Sequence, residues 1–197
     1  MSNEVKNKTT NIINKLWNYG KPNKAALAGL RSSQSINSRQ AVVVWPLLLE
    51  EMDRHDLSND GKPNPEEIAI FTALRCFAIY QRGIDNRLLV SSSYDSELMN
   101  VLSHLRQDEQ LQSALDRRIQ TVLITSNIDS VINSLTRLVS ILKAKGNGTP
   151  VDFAKLAQDL YDFQFRYGTM SGARRIALRW GRQYYWNNTK HNESKEK

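Results

Sequence analysis

The chain has 197 residues, of which 40% are hydrophobic and 24% charged, and its formal net charge is +7 at pH 7. This length and composition predict a folded domain with a core of its own and exclude a disordered chain. No apolar run approaches the ~20 residues that cross a membrane, and the single cysteine, Cys76, excludes an internal disulfide.

The apolar residues show helical spacing along the chain, and strand-like alternation bounded by turns is absent apart from the short run 41–45, which lies within a longer helical pattern. Residues 1–10 are polar and are predicted to be flexible. They lack the apolar segment of a signal peptide, so we expect a cytoplasmic protein. The predicted helices that follow cover residues 11–19, 24–31, 39–52 and 65–82. Pro46 should kink or split the third of these, and the run from Asn64 to Glu67 has the residues of a capping box at the start of the fourth.

The helix predicted at 65–82 is apolar almost all round, so we expect it at the centre of the protein. A surface loop is predicted for 84–94. The remaining helices are predicted at 96–107, 111–125, 128–145, 151–165 and 172–186, with a turn before the last. The sequence therefore predicts an all-α fold, a compact single-domain bundle of about seven or eight helices over residues 11–186, followed by a flexible tail at 187–197.

The last predicted helix, 172–186, carries the most distinctive pattern in the chain. Its basic residues recur at helical spacing beside an aromatic residue, opposite an apolar face: Arg174, Arg175, Arg179 and Arg182, with Trp186 continuing the line. No acidic residue occurs from Phe163 to Asn192. Arginines interleaved with aromatic side chains suit a phosphate backbone that carries unstacked bases. The alternative is a solvated basic face on the last helix of a globular domain.

Other basic residues reinforce this pattern. Residues 111–197 carry 14 basic and 7 acidic side chains, which favours a polyanionic partner, and nucleic acid before a membrane. Arg117 and Arg118 should lie at the margin of a buried face, and Arg137 on the far side of its helix from an apolar seam. For these three arginines, nucleic-acid binding and a purely structural role are both open.

Features of an enzyme are missing from the sequence. His55, His104 and His191 lie far apart, and none occurs in a metal-ligand or catalytic-triad pattern. There is also no glycine-rich phosphate-binding loop. We therefore predict a protein without catalytic activity, metal or cofactor.

Several weak motifs, taken in order, resemble the CasB family, the small subunits of the type I-E CRISPR Cascade surveillance complex. The resemblance covers about residues 25–186 and depends on the order of the motifs rather than on any one of them. The motifs are GLRSS at 29–33, VVVWPLLLE, FAIYQRG, DRRIQTVL at 116–123, SLTRLVSILKAKG, PVDFAKLAQDLYDF and RRIALRWGRQYYW.

The resemblance implies an all-α, non-catalytic subunit that is present as a homodimer within Cascade. It would pack against the crRNA-bearing backbone subunits and the large subunit, and its basic residues would hold nucleic acid during R-loop formation. The principal ligand would be the displaced single-stranded DNA, with crRNA as a second candidate. The residues implied by motif position are Arg31, Arg117, Arg118, Arg137, Arg174, Arg175, Arg179 and Arg182, with Arg106 as a further member.

Two other functions compete with this interpretation. One is a helical protein–protein scaffold whose basic face meets an acidic partner. The other is a helix-turn-helix regulator that binds DNA, although no pair of short helices has the expected glycine-containing turn and recognition helix.

Overall fold

The computed structural model describes residues 3–52, 61–84, 88–167 and 170–193. The predicted polar loop around His55, the centre of the predicted 84–94 loop at 85–87, residues 168–169 of the predicted turn, and the last four residues of the predicted tail lie outside the described residues.

Within the described residues the chain forms nine α-helices, short 3-10 segments and one two-stranded antiparallel hairpin. The helices are α1 (Glu4–Trp17), α2 (Lys24–Ser32), α3 (Trp45–Glu51), α4 (Pro65–Gln81), α5 (Leu98–Leu105), α6 (Glu109–Ile124), α7 (Ile128–Lys145), α8 (Phe153–Phe163) and α9 (Gly172–Glu193). The 3-10 segments are Asn18–Gly20, Arg39–Val44 and Tyr94–Ser96, and the strands are β1 (Arg166–Tyr167) and β2 (Met170–Ser171). The predicted all-α class is confirmed, and the hairpin is a small addition that the sequence pattern did not reveal.

The structure corrects the prediction of a flexible N-terminus. Helix α1 begins at Glu4, seven residues before the predicted helix, because apolar and ionic contacts hold its first turns. Val5 is buried, and the Lys8 ammonium forms ion pairs with Glu4 at 3.1 Å and Glu66 at 3.0 Å. At the other end α9 continues to Glu193, so the predicted 187–197 tail is helical over its first seven residues.

The chain divides into two compact units, where the sequence predicted one domain over 11–186. The first unit comprises Met1–Val90 and Phe153–Tyr161, and the second comprises Ser91–Asp152 and Asp162–Lys197. The division follows two separate sets of packed helices. In the first unit α4 contacts α1 and α2, and in the second α9 contacts α5 and α6.

Helix α4 forms the centre of the first unit, as its apolar sequence predicted. The capping box at its start is complete, since the Asn64 side chain accepts from the backbone N–H groups of Glu66 and Glu67 at 2.9 Å, and the Glu67 carboxylate accepts from the Asn64 N–H at 2.8 Å. Phe77 and Tyr80 contact the Phe153 ring, with centroids 5.9 and 5.8 Å apart. Pro46 splits the predicted 39–52 helix into a 3-10 segment and α3, as expected.

Helix α9 forms the centre of the second unit. Its apolar face, which includes Ile176, Trp180 and Tyr184, is buried, and the Trp180 ring stacks on Phe163 at 6.4 Å between centroids. Gly172 lets α9 start against the end of α8, because a Cβ at this position would collide with the carbonyl oxygens of Asp162 and Phe165. This start fixes the direction in which the arginines of α9 point.

Candidate nucleic-acid interface

The predicted line of Arg175, Arg179 and Arg182 on α9, with Arg174 beside it, divides into two pairs. Arg174 and Arg182 are exposed, whereas Arg175 and Arg179 are only partly accessible. The apolar face of α9 is wide enough for Arg175 and Arg179 to lie at its edge. All four residues lie on the predicted helix, but the predicted line is fully exposed only at Arg182, since Arg175 and Arg179 are half-buried.

Arg175 is held by an acidic residue from the preceding helix. Its Nη2 lies 3.2 Å from the carboxylate of Asp162, a side chain that is almost completely buried. Asp162 directly precedes the stretch 163–192, which contains no acidic residue. Because α9 starts close to the end of α8 at Gly172, Arg175 comes near Asp162. The ion pair gives Arg175 an intramolecular role that does not need a ligand.

Arg179 lies in the field of Glu97. Burial lowers the pKa of the Arg179 guanidinium, and the Glu97 charge and Tyr94 oppose that shift. Glu97 also accepts a hydrogen bond of 2.6 Å from Gln183, one turn further along α9. These interactions connect α9 to Glu97, the residue directly before α5.

The exposed edge of α9 borders an open hollow of about 560 Å³, which we call the α6–α9 hollow. Trp186 is 63% exposed and Leu178 is 52% exposed, so both present apolar surface to solvent. The lining residues are Leu123 from α6 and Arg174, Ala177, Leu178, Gly181, Arg182, Tyr185 and Trp186 from α9. The lining includes two guanidinium groups and two aromatic rings, and no acidic residue among those the structure describes.

Arg106 occupies the centre of a polar network that includes two tyrosines of α9. Its guanidinium lies against the Asp116 carboxylate at 2.8 and 3.1 Å, and close to the rings of Tyr184 and Tyr185, at 5.9 and 5.3 Å from their centroids. The Tyr184 hydroxyl donates to Asp116 at 2.9 Å. Burial alone would raise the pKa of Asp116, but the hydrogen bonds from Arg106 and Tyr184 and the Arg106 charge outweigh it and lower that pKa. Arg106 thus joins α6 to α9, and its predicted contact with nucleic acid stays a prediction.

Arg117, Arg118 and Arg137 are exposed. This agrees with the predicted positions of Arg117 and Arg118 at the margin of a buried face and of Arg137 on the far side of its helix from the apolar seam. The Arg118 guanidinium donates to the carbonyl of Ala114 at 2.8 Å. None of the three forms an ion pair with another residue that the structure describes. Arg117 lies on the exposed part of α6, six residues before Leu123, which lines the α6–α9 hollow.

Arg31 belongs to the first unit and lies near Arg82, which was not among the predicted site residues. Its Nη1 lies 3.5 Å from the carbonyl of Ala78 on α4. Burial lowers the pKa of Arg31, and the nearby charge of Arg82 lowers it further. Arg82 is the residue directly after the end of α4. The sequence signal available for it was its spacing of seven residues from Arg75, which predicted that the two share one edge of a helix.

The described residues lack two further features. They contain no group of three or more His, Cys, Asp or Glu side chains placed to hold a metal ion. None of the helices in the described part of the chain is both long and apolar enough to cross a membrane.

The fold is that of two solved structures, which the chain resembles over nearly its whole length. One is CasB from Thermobifida fusca, with a TM-score of 0.67 and 19% identity, covering 94% of this chain and 99% of that one. The other is a CRISPR-associated protein of the Cse2 family from Thermus thermophilus, with a TM-score of 0.63 and 19% identity, covering 91% of this chain and 97% of that one. No curated protein sequence matches the chain.

The family follows from the sequence itself. The family model for CRISPR-associated protein Cse2 matches residues 26–185, so the chain belongs to the Cse2 family. The predicted resemblance to the CasB small subunit of type I-E Cascade is thereby confirmed.

Proposed function

We propose that the chain acts as a non-catalytic dimeric subunit of Cascade that binds the displaced DNA strand and so stabilises the R-loop during crRNA-guided target recognition. The exposed arginines beside the α6–α9 hollow carry this proposal. Arg174 and Arg182 point into solvent from a helix whose other two arginines are engaged with the body of the unit.

The energetics of strand exchange make such a surface effective. Replacing a DNA duplex with a guide–target heteroduplex is nearly balanced in free energy, so modest contacts to the displaced strand decide whether the open state persists. These contacts must accept any target sequence. Guanidinium groups that meet phosphates satisfy that requirement, because phosphate contacts carry no sequence information.

The proposed interface has a central and a peripheral part. Arg174 and Arg182, which line the hollow, form the centre, and Arg117 is an exposed arginine of α6, the helix that contributes Leu123 to the hollow. Arg118 and Arg137 are exposed on the same unit and extend the positive surface. Arg31 and its neighbour Arg82 form a second basic group on the first unit. Arg175, Arg179 and Arg106 stay predicted contacts, but each has an intramolecular role.

The proposal is tested by replacing Arg117, Arg174 and Arg182 with alanine in the assembled Cascade complex. We expect slower R-loop formation and faster loss of bound target, with a salt dependence of single-strand affinity whose slope falls by roughly 0.7 for each lost phosphate contact. The matched control is Arg39→Ala, because Arg39 is an exposed arginine of the first unit that lies outside the proposed interface. Unchanged R-loop lifetime in the triple variant, with normal assembly, would refute the proposal.

One observation favours the scaffold function as a second candidate. Val42, Val43, Trp45 and Leu49 are 39–51% exposed and lie together on the 3-10 segment Arg39–Val44 and α3. Grouped apolar side chains at a surface are typical of contacts with other proteins. If this function dominates, Val43→Ser with Leu49→Ser should prevent incorporation into the complex, while the arginine variants leave both incorporation and target retention unchanged.

A further inference from the structure

The α6–α9 hollow has a chemical composition that differs from that of the rest of the basic surface. Its floor is apolar and aromatic, with Trp186 and Leu178 well exposed and Tyr185 beside them, and Arg174 and Arg182 stand at its border. A surface that recognised phosphates alone would need only the guanidinium groups. An indole that is 63% exposed beside two guanidinium groups suits a ligand that has both an apolar face and a negative charge.

A nucleotide of a single strand has this combination. Each base presents a flat π-face that stacks on aromatic side chains, and each phosphate presents oxygens that guanidinium groups bind. The hollow, at about 560 Å³, falls within the roughly 300–1,000 Å³ typical of pockets for small ligands. A base inside a duplex is covered on both faces by its neighbours, so only an unstacked base can lie against Trp186.

We propose that the α6–α9 hollow is a binding site for one unstacked base of a single strand, with Trp186 as the stacking surface and Arg174 and Arg182 on the flanking phosphates. This inference rests on the proposed function and adds a base-dependent component to it. The site accepts any base, because stacking requires only the π-face. It therefore distinguishes single strands from duplexes without reading sequence.

Gly181 keeps the floor of the hollow open. It lies between Arg174 and Tyr185 on the lining face of α9, and a Cβ at this position would meet only the Leu123 Cδ1 at 3.5 Å, an ordinary contact. A larger side chain at 181 would therefore occupy the space proposed for the base while leaving both arginines in place. This provides a variant that blocks the site without changing its charge.

The test measures binding of the full-length chain to two oligonucleotides of equal length and charge, an oligothymidine strand and a fully abasic strand. We expect Trp186→Ala to weaken binding of oligothymidine by about 5- to 150-fold, the range for loss of one stacked base, and to leave binding of the abasic strand unchanged. Trp186→Phe should retain most of the affinity. Gly181→Leu should reproduce the effect of Trp186→Ala. The matched control is Trp45→Ala, since Trp45 is a partly exposed tryptophan of the first unit and its loss should not change either affinity.

The outcomes separate this inference from the proposed function. If both strands bind with equal affinity and with the salt dependence of a phosphate contact, and Trp186→Ala changes neither, the base site is refuted and the proposed function stands. If neither strand binds, both fail. If Trp186→Ala instead removes the chain from the assembled complex while oligothymidine affinity is unchanged, the hollow holds a protein segment and the base site is refuted.

Discussion

The Arg106 guanidinium and the Asp116 carboxylate face each other in a two-point ion pair, with Nε 2.8 Å from Oδ1 and Nη2 3.1 Å from Oδ2. The same Oδ1 accepts the Tyr184 hydroxyl at 2.9 Å. Arg106 follows α5, Asp116 is on α6 and Tyr184 is on α9, so one carboxylate ties three parts of the second unit together. Because Tyr184 is fully buried, the network fixes the face that α9 turns inward and hence the face that it exposes.

Replacing Asp116 with asparagine should destabilise the protein by about 1–3 kcal/mol, since the charged acceptor of two hydrogen bonds is lost while Arg106 stays partly buried. Denaturant unfolding measures the change in the free energy of unfolding. The control is Asp95→Asn, because Asp95 is exposed and its replacement should change that free energy by less than about 0.5 kcal/mol. Equal effects of the two substitutions would contradict a structural role for the network.

The contribution of Asp116 should also depend on pH in a defined direction. The pKa of Asp116 is lower in the folded protein than its ordinary value of about 3.9, so the stabilisation is fully present above that value. As the pH falls below about 4 and passes through the lowered pKa, the carboxylate is protonated and the stabilisation is lost. The difference in unfolding free energy between the native chain and Asp116→Asn should therefore be constant from pH 5 to 7 and shrink below pH 4. A difference that grows on acidification would contradict the shift.

The sequence predicted more of the fold than of the site, for a physical reason. Helix α7 has the predicted bounds 128–145, and the capping box of α4 forms as expected, because both depend on residues within one helix. The pairing of Arg175 was not predicted, because its partner Asp162 comes from another helix. Helical spacing places residues on one face, but it does not report which acid a neighbouring helix brings to that face.

Arg175 and Arg182 of α9 should therefore differ in what their replacement by alanine changes. Arg175→Ala removes the ion pair with the buried Asp162 carboxylate, so it should cost about 1–3 kcal/mol of stability and change single-strand affinity by less than about twofold. Arg182→Ala should do the reverse, because Arg182 is exposed. Its loss should change stability by less than about 0.5 kcal/mol and weaken single-strand binding at low salt. Denaturant unfolding and oligonucleotide titration on the same two proteins check both halves. An equal loss of affinity in Arg175→Ala and Arg182→Ala would mean that both arginines contact the strand, as the sequence predicted.

Two glycines in helices should respond to alanine in opposite ways. A Cβ at Gly29 would lie 2.5 Å from Val43 Cγ2 and 2.7 Å from the carbonyl oxygen of Gln40. The backbone of the 3-10 segment Arg39–Val44 would have to move, so Gly29→Ala should destabilise the protein by about 1–3 kcal/mol. A Cβ at Gly181 would make only one ordinary contact with Leu123, so Gly181→Ala should stabilise α9 by about 0.5–1 kcal/mol through helix propensity. Thermal or denaturant unfolding of the two variants gives both signs. Stabilisation by Gly29→Ala would mean that α2 and the 3-10 segment are not in close contact.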